Sequence, residues 1–129
     1  MSGIKYLLDT NFILGMLKSI PVVVDNIHTE GITAGQCAYS AITKMELLGY
    51  PGITPDEDLL IRSRLALFMY LPIDVSVEDR AIQLRRSRRV KLPDALIAAT
   101  AMRYGLQLLT LDTGLQAVLR EFAPGCLPL

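Results

Sequence analysis

A chain of 129 residues is about the length of one domain, given the usual allowance of roughly 100–200 residues each. Hydrophobic residues make up 51% and charged residues 20%, which excludes a disordered chain. Thirteen Lys and Arg balance thirteen Asp and Glu, which excludes a nucleic-acid binder working by bulk positive charge but leaves room for a local basic patch. No apolar run reaches the ~18 residues of a membrane span. The N-terminal stretch has no signal-peptide layout, because Asp9 and Asn11 interrupt its apolar run. Cys37 and Cys126 have neither metal nor redox spacing and read as buried thiols in a reducing compartment. The expectation is one soluble cytoplasmic domain over residues 1–129, without linker or repeat.

Ile4 to Leu8 reads as a strand ending at Asp9-Thr10-Asn11. Phe12 to Lys18 has helical spacing, with Thr10 or Asn11 as N-cap. Pro21 starts a second helix that Gly31 ends. Gln36 to Tyr39 is a strand, and Ser40 to Leu48 a helix stopped by Gly49 and Pro51. Pro55 opens another helix, acidic at its start (Asp56, Glu57, Asp58) and basic later (Arg62, Arg64), as the helix dipole favours. A short strand follows at Leu71-Pro72-Ile73, with proline near an edge, then a helix over Val77 to Val90. Pro93 suits the first turn of a helix that Gly105 ends. Gln107 to Leu111 reads as a strand, Thr113 to Phe122 as a helix, and a last strand is expected near Cys126 to Leu129. Such alternation implies an α/β domain with a mostly parallel sheet, whose ligands bind beyond the carboxyl ends of the strands.

Four acids fall near those ends. Each has a plain structural use: Asp9 as a cap or Asx turn after a strand, Glu46 in a capping box with Thr43, Asp94 in a dipole-favoured first turn, and Asp112 as an N-cap. Together they suggest more. Strand ends in a parallel sheet share one edge, and four carboxylates gathered there repel one another unless a cation neutralises them. Oxygen ligands without His or Cys suit Mg²⁺ or Mn²⁺. His28, the sole histidine, has no partner motif and reads as a packing or surface residue. The alanines after Asp94 suggest close packing of their helix on the sheet, which holds that carboxylate rigidly.

With Leu8-Asp9-Thr10-Asn11, Ser40-Ala41-Ile42-Thr43 with Glu46-Leu47, Lys91-Leu92-Pro93-Asp94-Ala95 with Ile97-Ala98-Ala99-Thr100-Ala101, and Leu109-Thr110-Leu111-Asp112, the chain resembles PIN-domain ribonucleases of the VapC toxin type over nearly its whole length. The resemblance implies a PIN-like three-layer α/β/α sandwich. It implies a Mg²⁺- or Mn²⁺-dependent endoribonuclease leaving 5′-phosphate and 3′-hydroxyl ends, with Asp9, Glu46, Asp94 and Asp112 as the acidic metal site and Thr10, Asn11 and Thr110 as polar supports. One departure is Leu115, followed by Gln116, where many relatives carry a further acid; this puts a second metal in doubt. A cognate antitoxin and a homodimer are also implied, with apolar surface from Phe12, Leu14, Met16, Leu17 and Val22 to Val24 open to the antitoxin; ordinary core is the better reading for most of these.

Chemically, the expectation is phosphodiester hydrolysis in which the metal acidifies a bound water and polarises a phosphoryl oxygen. The run Arg85, Arg86, Ser87, Arg88, Arg89, Val90, Lys91 has no acid and reads equally as a solvated face or as RNA-phosphate contacts. Tyr39, Tyr50 and Tyr70 offer base stacking, with core or rim packing the better reading. Two other classes stay open: a non-catalytic PIN-like scaffold binding RNA or protein, and a phosphoryl-transfer enzyme with Asp9 as nucleophile. The second is weakened by Asn11, where such enzymes carry another acid.

Overall fold

The computed structural model describes residues 3–128. In chain order the elements are β1 (Tyr6–Leu8), α1 (Thr10–Leu17), α2 (Pro21–Glu30), a 3₁₀ turn (Ala34–Gln36), β2 (Cys37–Ser40), α3 (Ala41–Leu48), α4 (Pro55–Leu65), β3 (Met69–Leu71), α5 (Val75–Ser87), α6 (Leu92–Tyr104), β4 (Gln107–Leu109), α7 (Thr113–Phe122) and a closing 3₁₀ turn (Pro124–Cys126). The strands form one sheet in the order β3-β2-β1-β4, every pair parallel.

Side-chain alternation along these short strands divides the interior in two. Leu7, Ala38, Leu71 and Leu108 point to one face and join a core with α5, α6 and α7. Leu8, Cys37, Tyr39 and Leu109 point to the other and join Phe12, Ile13, Val23, Leu47 and Leu65. The result is the expected three-layer sandwich. Parallel connections cross right-handed, so reversing the direction of sheet growth between β3 and β4 moves the helices to the opposite face. That reversal opens a crevice beyond the carboxyl ends of β1 and β4.

Local signals set the helix ends. Pro21 opens α2, and Gly31 closes it in the left-handed region at φ 62°, where a Cβ is penalised. Gly105 does the same for α6 at φ 64°. Thr54 and Glu57 cap α4 reciprocally.

Several boundaries depart from expectation. β1 and β4 are shorter than the apolar runs that contain them. Asp9 caps α1 in place of Thr10 or Asn11, since its carboxylate reaches the Thr10 N–H. Ser40 caps α3, so Thr43 and Glu46 form no capping box there. The third strand is Met69–Leu71; Pro72, which lacks an N–H for the ladder, follows its end. α5 starts earlier, under an Asp74 cap, and stops at Ser87. Cys126 closes a 3₁₀ turn where a last strand was expected; Leu129 lies outside the described residues. Both thiols are buried and unpaired. No helix among the described residues is long and apolar enough to cross a membrane.

Candidate active site

β1 delivers Asp9 to the crevice with its backbone N–H donating to the Leu109 carbonyl at 3.0 Å, so the two strand ends are held together where their side chains diverge. The carboxylate is 5% exposed. Its Oδ1 accepts from the Thr10 N–H at 2.7 Å; its Oδ2 accepts from Thr110 Oγ at 2.6 Å and Asn11 Nδ2 at 3.2 Å. Asn11 also accepts from the Leu111 N–H at 2.9 Å, tying α1 to the turn after β4. Thr110 Oγ in turn accepts from the Asp112 N–H at 3.0 Å. Asp9 thus stands in a rigid polar frame, as a reacting or ligating carboxylate requires.

The other acids come from three different helices. Glu46 reaches in from α3 and accepts the Thr10 hydroxyl at 2.7 Å, with Thr43 Oγ 3.1 Å from the same hydroxyl. Asp112 caps α7 through one oxygen, which accepts from the Gly114 and Leu115 N–H groups at 2.8 and 3.1 Å. Asp94 sits half-buried in the first turn of α6 with no hydrogen-bond donor on its carboxylate among the described residues.

Their fields overlap. Burial is the main reason the Asp9 carboxyl is raised above its ordinary range; its bonds from Thr110 and Thr10 oppose that shift, and the charges of Glu46 and Asp112 add to it. Burial also raises Asp94, followed by the charges of Asp112, Asp9 and Glu46, while Lys91 opposes them. The structure therefore brings the four sequence-predicted acids to one crevice, where Asp94 feels the other three and Asp9 feels Glu46 and Asp112.

It does not bring them into a tight cage: among the described residues, no three acid, His or Cys side chains are arranged to hold one ion. The donor set is all oxygen, and only Lys91 offsets the acids at Asp94. It suits a hard divalent ion bound to one or two carboxylates and reaching the rest through water, the habit of Mg²⁺.

The remaining sequence candidates divide. Thr10, Asn11 and Thr110 all belong to the frame. Gln116, which follows the departing Leu115, donates to the Thr110 carbonyl at 3.0 Å and steadies the end of β4. Thr43, read in the sequence as a capping partner and as part of the Ser40-Ala41-Ile42-Thr43 motif, is a further frame residue. Lys91 lies close enough for Asp94 to feel its charge, whereas Arg85, Arg86, Arg88 and Arg89 line a separate basin. Tyr39 is buried against Tyr70, with ring centroids 5.5 Å apart, and Tyr50 is exposed on the surface. His28 is exposed and outside this cleft.

An acid-lined crevice at the switch point of a parallel sheet defines a class of α/β domains built to handle charged ligands. The chain belongs to the PIN domain family, whose family model matches residues 6–120. A chain of a toxin–antitoxin complex from Klebsiella pneumoniae superposes with a TM-score of 0.77 at 29% identity, covering 94% of each chain. A chain of FitAcB from Neisseria gonorrhoeae is 30% identical with a TM-score of 0.71, covering 89% of this chain and 93% of that one. A chain of DNA-bound VapBC from Salmonella typhimurium shares the fold at 24% identity, with a TM-score of 0.71 and 96% of each chain covered. Comparison with curated proteins gives no match.

Proposed function

We propose that this chain is a metal-dependent endoribonuclease acting as the toxin of a toxin–antitoxin pair. The observation that carries the reading is the set of four carboxylates at the crevice beyond β1 and β4, two of which, Asp9 and Asp94, are raised by burial and by neighbouring carboxylates. Such crowding costs stability in the absence of a ligand cation, and sites that lower stability are expected where function requires them.

A bound Mg²⁺ or Mn²⁺ would supply charge for the phosphoryl oxygen and acidify a water. The chain's own contribution is positional. Asp9, fixed by three donors, offers a ligand that does not reorient. Asp94, whose oxygens accept no hydrogen bond among the described residues, can take a ligand or receive a proton from water. Glu46 and Asp112 each commit one oxygen to the fold and keep the other for the cleft, through water where needed. Thr10 and Thr110 set the orientation of Glu46 and Asp9.

The partner is read from the other end of α1. An apolar groove of about 360 Å³ runs between α1, α2 and α4, lined by Phe12, Met16, Leu17, Ile27, Leu60 and Phe68 among others, with Arg64 at its side. Leu14, Val22 and Val24 are exposed nearby, while Phe12 and Val23 belong to the core. Because similar chains were solved in toxin–antitoxin complexes, the occupant is proposed to be an amphipathic antitoxin segment whose acidic residue meets Arg64.

The lack of a ready-made ion cage favours a second reading, a PIN-like scaffold without catalysis. One assay decides between them. Wild type and Asp9→Asn are incubated with single-stranded RNA and Mg²⁺, with EDTA as control. The expected result is metal-dependent cleavage that Asp9→Asn lowers roughly 100- to 10,000-fold, the usual worth of a positioned acid or base. Equal cleavage by both, or none by either, rejects the nuclease.

A further inference from the structure

The seam between α5 and α6 carries a surface outside the acidic cleft. Arg85, Arg86, Arg88 and Arg89 surround an open basin of about 460 Å³ at the end of α5. Arg85 and Arg86 also border a second, mostly apolar trough of about 460 Å³ lined by Ile82, Leu92 and Leu96, with Glu78 on its α5 side. The two hollows are therefore contiguous, one basic and one greasy, with the arginines between them. Ile82 and Leu92 are 46% and 49% exposed, high for aliphatic side chains on helices with an available core.

The arginines fall into two kinds. Arg85 donates to the Val90 carbonyl at 3.3 Å, and Arg88 pairs with Glu121 on α7; these brace the loop. Arg86 and Arg89 have no ion pair or hydrogen bond among the described residues and are exposed. Five of the thirteen cations of a neutral chain lie within residues 85–91, where there is no acid. That concentration has no folding purpose that Arg85 and Arg88 do not already serve, and its self-repulsion calls for an anionic partner.

We infer that this seam is a nucleotide-binding track for single-stranded RNA flanking the bond to be cut: Arg86 and Arg89 hold backbone phosphates, and a base lies on the Leu92 trough. The inference rests on the endoribonuclease reading for its substrate class. Placement supports it, because Leu92 and Asp94 share the first turn of α6 and Lys91 sits between the basin and the acids. A strand leaving the cleft past Lys91 meets the track at once. The juxtaposition of an anion-binding basin and an apolar trough matches a sugar–phosphate chain with attached bases. An acidic polypeptide would use the arginines and leave the trough without a role.

The test uses the full chain carrying Asp9→Asn, or wild type held in EDTA, so that RNA is bound and not cut. Anisotropy of a short fluorescein-labelled single-stranded RNA is read across a KCl series. Arg86→Ala with Arg89→Ala should weaken binding roughly tenfold at low salt and flatten the slope of log affinity against log salt by about 1.4, since each single-strand phosphate contact contributes about 0.7. Lysine at both positions should restore the slope. Leu92→Ala should weaken binding several-fold at unchanged slope. Affinity and slope that ignore the arginine changes overturn the track. So does a loss confined to fluorescein-labelled poly-glutamate, which would give the surface to an acidic polypeptide. Arginine-dependent RNA binding in a wild type that fails to cleave supports the track and removes only the nuclease reading.

Discussion

The two faces of the sheet are filled differently. On one, α5 and α6 make the most extensive helix contact in the molecule, and Ala95, Ala98, Ala99 and Ala101 are all at 0% exposure. Small side chains let α6 lie close to the sheet and fix the turn that holds Asp94. On the other, α1, α2 and α4 pack with larger side chains and leave a groove of about 360 Å³ open. The closed face stabilises the fold and places a catalytic candidate. The open face gives up apolar burial that a partner can recover. Asp9 and Glu46 reach the cleft from the open side, Asp94 and Asp112 from the closed one, so the site is a seam between a rigid layer and an accessible one.

Truncation should expose this asymmetry first. Leu108, 1% exposed on the closed face, should cost about 2–5 kcal/mol as Leu108→Ala, because little can collapse around it. Leu17→Ala in the groove should cost only about 1 kcal/mol, since part of that side chain already meets water. Urea midpoints measure both, and equal losses would abolish the distinction between the faces.

A smaller effect tests the one tight point of the open face. Gly15 on α1 faces Val23 on α2, and a Cβ added there would meet Val23 Cγ2 at 2.6 Å. Gly15→Ala should therefore destabilise by about 1–3 kcal/mol through overpacking, although alanine is the better helix former. A higher melting temperature for Gly15→Ala would show that the α1–α2 pair is loose throughout.

The smallest effect belongs to the seam itself. A carboxyl raised in the folded state keeps its proton longer than it does in the unfolded chain. Its contribution to stability is then greatest below the ordinary carboxylate value near 4 and is lost as pH rises through the raised value. Metal-free wild type should thus gain stability, relative to Asp94→Asn, as pH falls from 7 toward 4. Paired melts of the two proteins in EDTA check the sign, and a constant difference would mean that neither burial nor the neighbouring acids raise Asp94.

Much of the fold could be read in the chain. Pro21, Pro55, Pro93, Gly31 and Gly105 punctuate helices by steric rules that act within a few residues, and the alternation of apolar runs specified a parallel α/β sheet. The misreadings came where tertiary context overrides local preference. Leu127 and Leu111 are apolar enough for strands but lie outside the sheet, Leu111 in the turn after β4 and Leu127 after the closing 3₁₀ turn. Asp9 and Ser40, rather than their neighbours, became caps because the strand geometry ends on them. Leu115 stands where a further acid was expected and is buried in the core, while Gln116 beside it donates to the Thr110 carbonyl, a role its sequence position did not show.

The residue order alone settled which side chains are acidic, where helices begin and stop, and that the chain is an α/β domain, because these depend on interactions between near neighbours. Only the folded arrangement decided that acids up to 103 positions apart share one field, that two faces of a sheet differ in openness, and that Leu92 lines a trough with Arg85 and Arg86. Charge repulsion, groove volume and surface continuity are properties of separation in space, which the linear order does not carry.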